Sequence, residues 1–164
     1  MFIKRLLLLG FIAIFSASLM ASTGPRVGQM APGFSLTDLK ENPHSLEGLL
    51  KKGPVLLVFW STKCHVCHAL IPRFKAIHEQ YSSKGLTLAA INVGYEDMEE
   101  VDDYAFEFKL PYLVLNEDSK KEQIAGDYRL QGTPTIQFID TDGKVLYRGH
   151  SVPDLDKLFA KMKK

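Results

Sequence analysis

Two cysteines occur in the 164-residue chain, Cys64 and Cys67, with His65 and Val66 between them and His68 directly after. Thiols at this spacing support several chemistries. Two sulfurs three positions apart can cycle between dithiol and disulfide. Two thiolates can form half of a tetrahedral zinc site. Cys-x-x-Cys-His is also the attachment pattern for c-type haem. Zinc is disfavoured because the chain has no second cysteine pair. Haem requires His68 to be free to ligate iron, which a packed helix start would prevent. A merely structural disulfide is the remaining rival. It would close a loop too short to constrain the unfolded chain much.

The elements on either side favour redox chemistry. "PVLLVFW", residues 54–60, is a continuous apolar run, as expected of a strand buried on both faces. From His65 to Tyr81, Leu70, Phe74, Ile77 and Tyr81 recur at helical spacing, with Pro72 inside expected to kink the helix. The pair therefore lies where a strand ends and a helix begins. The first N–H groups of a helix lack internal partners, and the dipole is positive there. A thiolate at that point is stabilised relative to free cysteine. Lys63 adds positive charge, and His65 and His68 do so when protonated. Cys64, the outer residue, is the expected nucleophile. Cys67, nearly one turn deeper, is the expected resolving thiol.

The rest of the chain must hold this junction. Residues 22–35 are rich in Gly and Pro and read as an extended lead-in. "FSLTDL" and "HSLEGLL" read as short strand or turn elements. "LTLAAINV" (86–93) is a second buried strand, Met98 to Lys109 a helix and "YLVL" (112–115) a short strand. Ser119 to Tyr128 reads as a helix with Ser119 as N-cap and Glu122 completing a capping box. Tyr95 and the acidic run from Glu96 to Asp103 read as a solvated loop and helix face. "TIQFI" (135–139) alternates as a strand, "DTDG" is a turn and "KVLYRG" the returning strand. Pro153 to Met162 closes the chain as a helix. Strands alternating with helices define an α/β class, and the final hairpin makes the sheet mixed.

The N-terminus bears on the compartment. Lys4 and Arg5 precede an apolar run from Leu6 to Phe15 and then small residues. This is the layout of a secretory signal over 1–21, leaving a single domain at 22–164. Leu19 fits the cleavage pattern poorly, so an uncleaved anchor, with membrane association through residues 6–21, stays open. The chain carries 20 basic and 19 acidic residues; without Lys4 and Arg5 the balance is 18 to 19. A nearly neutral domain offers no footprint for nucleic acid.

"VLLVFWSTKCHVCHALIP" resembles the active-site segment of thioredoxin-fold proteins, and most closely the TlpA/ResA-like extracytoplasmic thiol-disulfide oxidoreductases. The likeness runs from about Val27 to Phe159. It includes "GQMAPGFSLTDL", Trp60, Pro72, "INVG", "GTPT" and "FIDTDGKVLYRGHS". It implies a thioredoxin-like α/β fold, a central mixed sheet flanked by helices on both faces. It also implies disulfide exchange by Cys64 and Cys67, with no cofactor or metal beyond that redox-active pair. By the same resemblance Pro134 is a cis-proline facing the disulfide, and the Thr133 backbone pairs with an extended substrate segment. The implied partners are protein thiols and disulfides, apocytochrome c among them, and an upstream thiol reductant. The implied compartment is the periplasm or another extracytoplasmic space. Reduction is the favoured direction, with oxidation or isomerisation of disulfides and a non-catalytic binding module as rivals. Four departures stand out. Lys63 replaces a common aromatic residue. His65 and Val66 leave no proline between the cysteines. Val58 stands where thioredoxins carry a buried aspartate, and Leu70 where several ResA-like proteins carry a glutamate.

Overall fold

The computed structural model describes residues 24–116 and 118–162. The signal or anchor expected over 1–21 lies outside them. Among the described residues no helix is long and apolar enough to cross a membrane.

The central strand is β3 (Val55–Trp60), with all six residues buried. β4 (Thr87–Asn92) runs parallel to it on one side, and β5 (Leu113–Leu115) runs parallel to β4. On the other side β6 (Thr135–Ile139) is antiparallel to β3, and β7 (Val145–Gly149) is antiparallel to β6. The order is β5-β4-β3-β6-β7, a mixed sheet. β1 (Ser35–Thr37) and β2 (Pro43–Ser45) form a separate two-stranded ribbon. β2 leads into a short helix, α1 (Leu46–Leu50), where a strand or turn was expected; the Ser45 hydroxyl caps it by accepting from the Gly48 N–H. Hydrophobic residues at 46, 49 and 50 follow helical rather than strand spacing.

Successive side chains of β3 alternate between two cores. Leu56, Val58 and Trp60 join α2 (His65–Tyr81), α3 (Met98–Glu107) and α5 (Leu155–Met162) through Phe74, Ile77, Val101 and Leu158. Val55, Leu57 and Phe59 join α1, the lead-in and α4 (Lys121–Asp127) through Leu46, Leu49, Phe34 and Ile124. Helices thus cover both faces. All of β6 is buried for that reason, where alternation was read from "TIQFI". A fully buried Val, Leu or Ile contributes about 1.5–3 kcal/mol, so the β3–β6 pair is a well-anchored base for a site at its end.

Two further expectations shift. In α2 the buried residue is Ile71, and Leu70 is only half-buried. Pro72 lies inside α2 on its exposed side. α4 begins at Lys121 after a 3-10 turn at Asp118–Lys120, and its N-cap Lys120 makes no side-chain cap bond, so the capping box at Ser119 does not form.

Candidate active site

β3 delivers the chain to the site at Trp60. Residues 61–63 then turn, and α2 starts. Cys64 is the N-cap of α2, in extended conformation, and its Sγ accepts from the Cys67 N–H at 3.1 Å. The Cys64 carbonyl accepts from the His68 N–H at 3.0 Å, so the first turn is closed. Cys64 and Cys67 are joined as a disulfide, their Cα atoms 5.2 Å apart. The two sulfurs differ in access: Cys64 is half-buried, whereas Cys67 is only 4% exposed. A small apolar pocket lies against Cys67, lined by Val58, Trp60, Ile71, Phe74 and Tyr104. Apolar surroundings hold a thiol in its protonated form.

The second half of the site comes from about 70 residues further along. Phe59 on β3 is in register with Thr135 on β6. The loop entering β6 therefore lies beside the end of β3. The Thr133–Pro134 peptide bond is cis, Pro134 is buried and Thr133 is half-buried. The Pro134 carbonyl accepts from His150 Nδ1 at 2.8 Å, and the Thr135 hydroxyl donates to the Gly132 carbonyl at 2.7 Å.

The remaining expected residues gather at the same end. Trp60 is core, 5% exposed, with its ring tilted 5.2 Å from Tyr104. His65 and Val66 are both exposed between the cysteines. His68 is exposed but engaged: its Nδ1 lies 3.1 Å from the Tyr104 hydroxyl, and its ring meets Phe108 edge-on at 4.6 Å. Lys63 is exposed, and its Nζ is 3.7 Å from Glu100 Oε1. Its positive charge is therefore partly offset before it reaches Cys64.

One residue corrects the sequence reading. Glu96 was read as part of a solvated acidic run, yet it is 2% exposed. Its Oε1 accepts from the Ser61 hydroxyl at 2.5 Å, the Thr62 hydroxyl at 2.8 Å and the Lys63 N–H at 3.2 Å. Burial by itself would raise the pKa of this carboxyl. The donors from Ser61, Thr62 and Lys63, together with its own backbone N–H, outweigh burial and bring the pKa down to about 2. The rest of the run behaves as expected. Tyr95 is fully exposed, and Asp97 caps α3 by accepting from the Glu100 N–H at 2.9 Å. The available signal for Glu96 was its position, since it follows closely the C-terminal end of a buried parallel strand, where sites in α/β sheets gather.

A mixed sheet with helices on both faces, a helix-capping Cys-x-x-Cys and a cis-proline loop beside the end of β3 define a thioredoxin-like thiol-disulfide oxidoreductase. The chain belongs to the AhpC/TSA family, which it matches over residues 27–148. It is 33% identical to the thiol-disulfide oxidoreductase ResA of Geobacillus kaustophilus, over 80% of this chain and 74% of that one. It is 29% identical to the thiol:disulfide interchange protein DsbE of Vibrio cholerae, over 74% and 64% respectively. Among solved structures, the thioredoxin domain of a thiol-disulfide oxidoreductase from Bacteroides vulgatus superposes with a TM-score of 0.74. That match has 24% identity and covers 85% of this chain and 99% of the other.

Proposed function

We propose that this oxidoreductase works outside the cytoplasm as a reductant of protein disulfides. In this reading residues 1–21 direct export or anchor the chain, and 22–164 form the working domain. Reduced Cys64 attacks one sulfur of a substrate disulfide, and the other substrate sulfur leaves as a thiol. Cys67, losing its proton, then attacks Cys64 Sγ. The substrate's second thiol is released, and Cys64 and Cys67 remain as the disulfide. An upstream dithiol restores the pair and is itself oxidised. No prosthetic group enters this cycle, a reading supported by the engagement of His68 with Tyr104 and Phe108.

The observation that carries the order of attack is the unequal exposure of the two sulfurs on one helix start. Two features support reduction as the direction. Lys63 is offset by Glu100, and an anionic carboxylate underlies the residues leading to Cys64. Both weaken the stabilisation of a reduced thiolate that would make the pair an oxidant. Resemblance to the TlpA/ResA-like proteins supports an apocytochrome c disulfide as substrate, with the Thr133 backbone as the place where an extended substrate segment pairs.

Equilibration of the Cys64–Cys67 couple against glutathione or dithiothreitol tests the direction. The expected potential lies near the reductase end, about −270 mV, and a value near −120 mV would make the protein an oxidant instead.

A further inference from the structure

Between the end of β4 and the start of α3, the side chain of Glu96 turns back under the active-site turn rather than out to water. One of its oxygens, Oε1, takes three donors from three consecutive residues: the Ser61 and Thr62 hydroxyls and the Lys63 N–H. The last of these belongs to the residue directly before Cys64. The other oxygen, Oε2, is buried with no hydrogen-bond partner. The donors to Oε1 must therefore offset the burial of the whole carboxylate.

Two independent features build the place it occupies. A Cβ at Gly94 would overlap the Glu96 carboxyl group, whereas the backbone there is ordinary. A side chain at 94 would therefore push the carboxylate off its donors. The Glu96 carbonyl is also held, by the Lys121 ammonium from α4; Lys121 is itself paired with Asp118 at 2.8 Å. The path from α4 through Lys121 and Glu96 to residues 61–63 is continuous and ends one residue before Cys64.

We propose that Glu96 is a positioning residue for the exchange reaction: it fixes the turn that presents Cys64, and its charge disfavours the Cys64 thiolate, biasing the couple toward reduction of substrates. The proposal rests on the disulfide-exchange reading of the site. Glu96 is itself buried, so its charge is less screened than a surface charge, and a nearby anion raises a thiol's pKa. The other charges about the turn are Lys63 with its partner Glu100, Asp97 at the start of α3, Lys121 with Asp118, and His65 and His68 on α2. Lys63 and Lys121 each already have an acidic partner, which leaves the Glu96 charge uncancelled. A destabilised thiolate favours the disulfide form, which lowers the reduction potential.

Two kinds of variant separate charge from anchorage. Glu96→Gln keeps an oxygen that can accept the three donors but removes the charge. It should lower the Cys64 thiol pKa by about half a unit to one unit. It should also shift the glutathione equilibrium about threefold toward the dithiol, or about 14 mV. Glu96→Ala and Gly94→Ala disturb the anchor. Each should slow attack of the reduced pair on a small aromatic disulfide by about tenfold, with the rate loss persisting above pH 9 where the thiolate is fully formed. An unchanged pKa and equilibrium in Glu96→Gln would overturn the charge role. Wild-type attack rates in both anchor variants would overturn the positioning role. A wild-type protein that exchanges no disulfides would overturn the underlying reading itself.

Discussion

At the scale of single residues, the division of labour between two sulfurs is set by depth. Cys64 caps the helix within reach of solvent, while Cys67 lies 4% exposed among Val58, Ile71 and Phe74. Cys67→Ala should therefore accumulate mixed disulfides with substrate proteins, visible as adducts on a non-reducing gel and collapsed by dithiothreitol. Cys64→Ala should show none, and equal trapping by both would reverse the assigned order. Lys63 contributes less than its position suggests, because it is exposed and 3.7 Å from Glu100. Lys63→Ala should move the Cys64 thiol pKa by less than about 0.3, read from thiolate absorbance against pH, since exposed charges are strongly screened. Glu96 also makes acid stability legible. Its folded pKa, about 2, lies below its ordinary 4.5. The stability it contributes is fully present above about pH 4.5 and is lost as pH falls through about 2. The unfolding free energy from urea titrations should fall less steeply from pH 6 to pH 2 in Glu96→Gln than in wild type, by on the order of 3 kcal/mol across that range. Identical slopes would mean that the carboxyl is not held as described.

At the scale of elements, α3 begins beside the active-site turn and depends on a cap. The Asp97 carboxylate accepts from the Glu100 N–H, and Glu99 and Glu100 add negative charge to the same first turn. Asp97→Ala should destabilise the protein by about 1 kcal/mol in urea unfolding, with Asp97→Asn restoring most of the loss. Because α3 carries Tyr104 against Trp60 and His68, the same change should loosen that contact and quench tryptophan fluorescence differently. α2 is tied down at its far end by the Tyr81 hydroxyl, which donates to Asp156 of α5 at 3.0 Å. That bond, together with the Tyr81–Phe159 stack at 5.6 Å, holds the helix that carries both cysteines against the sheet.

At the scale of the molecule, one pair of strands holds the two halves of the site in register. β3 ends at Trp60 and β6 begins at Thr135, and their antiparallel ladder places the Pro134 loop beside the end of β3, from which the cysteine turn departs. Ile136 on β6 is fully buried among residues of the α2 face. Ile136→Ala should cost about 2–5 kcal/mol, measured by chemical denaturation, with no new groups exposed at the cysteines. A loss well under 1 kcal/mol would show that this core collapses around the cavity.

The sequence by itself determined the features that depend on local pattern. An apolar run such as residues 54–60, bounded by Pro and rich in valine and aromatic residues, favours a buried strand, and Phe74, Ile77 and Tyr81 at helical spacing favour an amphipathic helix after it. Cys64 and Cys67 were legible because their chemistry follows from that junction. Pro134 was legible as a cis-proline only through resemblance, since no local rule makes the Thr133–Pro134 bond cis or brings it beside the end of β3. Tertiary structure alone decided the rest. Ile71 rather than Leu70 faces the core because the rotation of α2 about its axis is set by the sheet beneath it. β6 is buried on both faces because helices from distant segments cover it, which its own alternating pattern does not disclose. Glu96 reads as one more charge in an acidic run until the fold brings Ser61, Thr62 and Lys63 to it. A carboxylate can be buried where distant donors converge, and only the packed chain creates that convergence.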